Sequence, residues 1–203
     1  SNYATLLTTF KQEVSSKLVG PVTSSSFLIN RIGPGLETKR LGSDLLFGMD
    51  SNSIDEDFIP FYHLKILAGR NFIKDDRPDG IIISRFASIR LGFSSPEAAL
   101  GARINVKVRR GDWKDAEVIG VFENFRAMPF FNMSQSSSEA TDEGRGTVFL
   151  YKSQMFDREF YIEDKVSLRV SAQQLDQTIS FIRRKFEQQF PAMPFEWYFL
   201  DQK

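Results

Sequence analysis

The sequence predicts an α+β protein of two lobes, a mixed α/β lobe built from both chain ends and a strand-rich lobe inserted between them. Three observations carry that expectation. Long amphipathic helical patterns stand near the two ends, at residues 4–16 and 175–190. The middle is a succession of short β-branched or alternating runs separated by turn residues. The last third reads strand, helix, strand, a βαβ unit whose crossover would be right-handed. On this reading residues 1–54 and 146–203 form the mixed lobe. Residues 55–145 form the inserted lobe, with a flexible polar loop over 132–146.

Taken in order, the first helix runs from about Ala4 to Ser16, with Leu7, Phe10 and Val14 on one face and Lys11 and Gln12 turned outward. Gly20-Pro21 breaks it. Val22 to Asn30 reads as a strand, and Gly33-Pro34-Gly35 as a sharp turn. Leu45 to Ser53 is a second strand and a candidate hairpin partner of the first. Asp57 is placed to cap a short helix with Pro60 in its first turn, where a missing N–H is harmless.

The stretch from Gly80 to Phe125 is the most legible part. Ile81-Ile82-Ile83 is a buried strand. A brief helix follows through Phe86, Ile89 and Leu91 to Gly92, the residue type that most easily takes a left-handed cap. Ser95-Pro96-Glu97 starts a second short helix that Gly101 ends. Ile104, Val106 and Val108 then alternate with polar residues, and Val118, Ile119 and Val121 make the next strand.

Beyond the polar stretch 132–146, Thr147 to Tyr151 and Val166 to Val170 read as strands. Ser171 with Gln174 suggests a capping box for the last helix. Leu175, Ile179, Ile182, Phe186 and Phe190 line one stripe of that helix, and Pro191 stops it. Phe195, Trp197 and Phe199 alternate with Glu196 and Tyr198 as a final strand.

Composition narrows the function classes. Lys plus Arg equals Asp plus Glu at 26 each, so no global field favours nucleic acid or anionic lipid. The absence of cysteine excludes disulfides, thiolate chemistry and Cys-ligated zinc. No run of about 18 apolar residues occurs, so no segment is expected to span a bilayer as a helix. Twenty phenylalanines are a surplus, accounted for by an aromatic core; an aromatic ligand pocket is the alternative.

The acidic stretch Asp50 to Asp57 fails as a calcium loop, because its sixth and twelfth positions are Asp55 and Phe61. His63 is the single histidine, flanked by Tyr62 and Leu64, and reads as a partly buried packing residue. No phosphate-binding loop, nucleophile elbow or Ser-x-x-Lys motif is present. The sequence therefore nominates no catalytic, cofactor-binding or metal-ligating residue, and a non-enzymatic role is expected. A hydrolase would need a polar cluster around Asp55, Asp57 and His63.

The ordered series Arg85-Phe86-Ala87, Leu91-Gly92, Ser95-Pro96-Glu97-Ala98-Ala99-Leu100-Gly101-Ala102-Arg103-Ile104 and Glu117-Val118-Ile119-Gly120-Val121-Phe122-Glu123-Asn124-Phe125 resembles the extracytoplasmic domain of MacB/FtsX-type ABC transporter permeases. The preceding Ile54 to Phe72, with Ala68-Gly69-Arg70-Asn71-Phe72, resembles it too. The resemblance implies a porter-like lobe from both chain ends and a sabre-like lobe between them. It implies a non-catalytic periplasmic domain of an inner-membrane permease, coupling ATP hydrolysis by a separate cytoplasmic ATPase to periplasmic events. Implied partners are that ATPase, a second permease subunit, and a periplasmic adaptor or a lipid or peptide substrate. No cofactor and no nucleic acid are implied. Two departures stand out: the segment after Met128 is longer, and an Asp and a His of the family pattern are Asn124 and Arg126 here.

Partner contacts are expected at the turn Arg77-Pro78-Asp79 and around Phe130 and Phe131. The second functional reading is a periplasmic module that binds lipid or a small molecule in an aromatic cleft.

Overall fold

The computed structural model describes residues 2–15, 19–29, 35–108, 112–125, 146–151 and 164–200. Among them the protein is α+β, with the helices α1 (Asn2–Val14), α2 (Phe58–Phe61), α3 (Arg85–Arg90) and α4 (Leu175–Gln189). The strands are β1 (Val19–Ser25), β2 (Gly35–Arg40), β3 (Phe47–Ile54), β4 (Ile66–Gly69), β5 (Gly80–Ser84), β6 (Arg103–Val108), β7 (Lys114–Phe122), β8 (Thr147–Tyr151) and β9 (Lys165–Val170). The chain divides into two compact units, Ser1–Thr23 with Ser167–Lys203, and Ser24–Val166.

The larger unit is a closed barrel. Its strands follow the order β2, β6, β7, β5, β8, β3, and β3 pairs back onto β2, so the ring has no free edge there. Pairing is antiparallel except for β5 with β7 and β3 with β8, which are parallel. β4 takes over from β6 along β7, opposite Gly120 to Phe122.

Alternation sorts the strand residues into two layers. Ile81 and Ile83 point inward with Leu36, Met49, Ile104, Val106, Val118, Val148 and Leu150, all fully or nearly fully buried. Ile82, between them, points outward yet is equally buried, under Phe58, Ile59, Phe72, Phe122 and Phe149. The continuous isoleucine run therefore reflects a strand covered on both faces. Phe122 and Phe149 stack at 4.5 Å between ring centres, so several of the surplus phenylalanines are core.

One end of the barrel is closed by α3 and the 3-10 turn Glu97–Ala99, which add Ala87, Leu91, Phe93 and Ala99 to the inner layer. Ser84 organises that end. Its Oγ accepts from the Ala87 N–H at 3.2 Å, capping α3, and from the Thr147 N–H at 3.0 Å, starting β8. Gly92 and Gly101 both adopt positive φ where the two short helices end.

The smaller unit packs α1 against α4. Phe10 meets Phe186 and Phe190 edge-on at 5.9 and 6.0 Å, with Leu7, Val14 and Ile182 buried. Lys185 pairs with Glu13 at 3.1 Å.

Several expectations are corrected. β2 is a strand where none was expected, and it is the hairpin partner of β3; β1 meets β3 only at Ser25–Ile54. β2, β3 and β8, read with the lobe of the chain ends, pair inside the barrel. Phe195–Phe199 is not a strand, so the βαβ unit is not completed. Its alternation marks no buried face: Trp197 is 46% and Tyr198 61% exposed. Ser171 Oγ accepts from the Gln173 N–H, opening a 3-10 turn before α4 instead of a capping box with Gln174.

Candidate interaction surface

The turn Arg77-Pro78-Asp79 leads into β5 and is held by main-chain bonds, Gly80 N–H to the Arg77 carbonyl and Glu117 N–H to the Asp79 carbonyl at 2.8 Å. Its side chains join a surface ionic network. Arg77 contacts Glu117, and also Asp79 at 3.3 Å. Arg103 donates to Asp79 at 2.9 Å and to Asp115 at 2.7 Å. The hydrogen bond to Glu117 holds the Arg77 guanidinium above its ordinary pKa, and the bond to Asp115 does so for Arg103. Two cations, Arg77 and Arg103, thus face three carboxylates, Asp79, Asp115 and Glu117, across β6, β7 and the turn. Pro78, exposed at its apex, fixes the local backbone.

Directly behind lies a buried latch. Arg70 grips Asp76 through two nitrogens at 2.5 and 3.1 Å, while Asp76 also accepts the N–H groups of Ile73 and Arg77. The Asp76 side chain is only 4% exposed, and the Arg70 bond holds its carboxyl below the ordinary aspartate range. This explains the Gly69-Arg70-Asn71-Phe72 motif. Gly69 has φ +74° and lies against Ile119 and Gly120, so closely that a Cβ would fall 2.3 Å from the Ile119 carbonyl oxygen. Asn71 donates to the Glu56 carbonyl at 2.8 Å and Phe72 packs on Tyr151. The Tyr151 hydroxyl donates to Glu56 at 3.1 Å and accepts the Asp75 N–H; burial foremost pushes its pKa up to about 12.

The three residues a hydrolase would have needed stand in different settings. Asp55 is buried and its carboxylate accepts from the Ser24 N–H, the Ser24 hydroxyl and the Asp57 N–H. Asp57 stands at the N-cap of α2, but its side chain makes no cap bond. His63 is exposed, not partly buried, because a φ of +55° at the end of α2 turns it out of the packed layer. Asn124 accepts the Phe86 N–H at 2.9 Å, a side-chain oxygen role at the start of α3 that an aspartate would fill equally. Phe130, Phe131, Arg126 and the polar stretch 132–145 lie outside the described residues.

The structure adds exposed apolar residues that sequence reasoning missed. Leu41, Leu45 and Leu46 at the β2–β3 turn are exposed, as is Ile89 on α3. Nearby in sequence, Arg40 lies over Phe93 at 4.7 Å and Arg90 over Phe47 at 5.3 Å. The signal was the apolar run Leu45-Leu46-Phe47 after the turn Gly42-Ser43-Asp44.

No family model matches this sequence, and no curated protein matches it. Solved structures do. The periplasmic region of MacB from Actinobacillus actinomycetemcomitans superposes with a TM-score of 0.59 at 13% identity, covering 90% of this chain and 73% of that one. The extracellular domain of the ABC-type transporter YknZ from Gram-positive bacteria gives 0.60 at 19% identity, covering 91% and 84%. The chain has the fold of the extracytoplasmic domains of MacB-type ABC transporter permeases.

Proposed function

We propose that this chain is a non-catalytic periplasmic domain of an inner-membrane ABC transporter permease, coupling ATP hydrolysis by a separate cytoplasmic ATPase to the handling of a periplasmic partner or substrate. The observation that carries this reading is the likeness over nine-tenths of the chain to two such transporter domains. A second permease subunit is the expected dimer partner. An adaptor protein, or a lipid or peptide cargo, is what the domain would engage. The Arg77-Pro78-Asp79 turn and the region of Phe130 and Phe131 are the proposed contacts. The buried latch behind the turn supports its part, because Asp76 fixes the Arg77 backbone while leaving that side chain 41% exposed. No described helix is long and apolar enough to cross a membrane.

The test is the parent reading frame. One segment of about 20 apolar residues before Ser1 and three after Lys203 are expected. A cleavable signal peptide followed by a stop near Lys203 would overturn the reading in favour of a secreted binding protein.

A further inference from the structure

The segment after α4 leaves its largest side chains outside. Residues 191–200 form neither helix nor strand, with Pro191 and Pro194 interrupting regular structure. Phe195 ties the segment down: it packs on Phe186 at 5.4 Å, and the Arg183 guanidinium lies over the same ring at 5.2 Å. Trp197 meets Phe199 edge-on at 5.2 Å but is otherwise open. Met193 is 42%, Trp197 46% and Tyr198 61% exposed, and Arg183 and Arg184 are exposed on the helix before them. Single exposed apolar residues are ordinary, but here a thioether, an indole and a phenol project within residues 193–198.

Tryptophan and tyrosine join an apolar body to a polar tip, which suits them to the headgroup layer of a bilayer. Cations beside them match the phosphates of anionic lipid. The net charge of the chain is zero, so any such attraction is local. On the permease reading, spans precede Ser1 and follow Lys203, and both ends belong to this one unit. We propose that Met193, Trp197 and Tyr198, with Arg183 and Arg184, form a seat for the lipid surface. The rings lie at headgroup level and the guanidiniums meet lipid phosphates. Glu196 stands exposed between Phe195 and Trp197, so the rings, more than the charges, should carry the affinity. The inference rests on the permease reading for its place in the cell, but not for its test.

The chain holds two tryptophans, and Trp113 belongs to the other unit, so Trp113→Phe leaves Trp197 as the one indole to follow. Vesicles of equal parts phosphatidylcholine and phosphatidylglycerol should move its emission to shorter wavelengths. The same vesicles with brominated acyl chains should quench it. Adding Tyr198→Ala should weaken partition about tenfold without lowering the melting temperature, because that ring is exposed. Arg183→Gln with Arg184→Gln should weaken binding to these vesicles by less, and leave binding to phosphatidylcholine alone unchanged. Should Trp113→Phe fail to fold, the lipid-dependent shift of the native chain must vanish in Trp197→Phe. An emission that no vesicle moves would overturn the seat and leave the rings as a protein contact. Equal quenching of Trp113 in Trp197→Phe would overturn it as well. The parent-frame test is independent: spans without lipid binding sink the seat alone, and lipid binding without spans sinks the permease reading alone.

Discussion

The barrel and the terminal unit use the same apolar residue types to different effect. In the barrel the strands close on themselves, and both faces of β5 are covered, so Ile81, Ile82 and Ile83 are all fully buried. In the terminal unit a single helix pair shares a narrow seam. Phe10 is buried, but its partner Phe186 is only half-buried, and every side chain of the Ser167–Val170 part of β9 is at least partly accessible. Stability should follow that contrast, with the barrel opening last and the terminal unit sooner.

Four substitutions sharpen or break that contrast. The largest effect is expected from Phe149→Ala, which removes a ring stacked on Phe122 and packed against Phe58. It should cost about 3–5 kcal/mol, read as loss of the main transition in chemical denaturation. Next, Phe10→Ala should cost about 3 kcal/mol in the terminal unit alone. Hydrogen exchange should rise in α1 and α4 with barrel amides unchanged; a matching rise in both units would mean that they unfold together.

Asp76→Asn breaks a buried latch whose arginine is partly solvated, and about 2 kcal/mol is expected. Because the folded Asp76 carboxyl titrates below its unfolded value, the native latch contributes fully above pH ~3.9. That contribution is lost as pH falls through the lowered folded value. The variant should therefore lack part of the acid sensitivity of the native chain in pH-dependent melts. Smallest is Arg77→Ala, about 0.5 kcal/mol, since its ion pairs are exposed and screened by salt. A loss of partner binding without a change in melting would separate recognition from stability at that turn.

Local signals made the Gly80 to Phe125 stretch readable, because β5, α3, β6 and β7 each carry a cap, a glycine stop or a clear alternation within a few residues. The two long helices were readable for the same reason. Barrel closure was not. It depends on β2, whose inward set is Leu36 and Thr38; the threonine is tolerated there because its hydroxyl donates to the Phe47 carbonyl at 3.0 Å. Nothing local distinguishes that strand from a polar loop. Asp55 was legible only as an acid near a helix start, since its partner Ser24 lies 31 residues away. The reverse error came at Phe195 to Phe199, where alternation was present but no neighbouring strand met it. Periodicity predicts a strand only when a partner supplies the ladder.

The most direct test of the contrast is native-state hydrogen exchange followed across a denaturant series. Amides of β2, β3, β5, β6, β7 and β8 are predicted to open together, at the highest free energy in the molecule. Those of α1 and α4 should form a separate group that opens earlier. A single opening event common to both groups would contradict the account of a barrel more stable than the terminal unit.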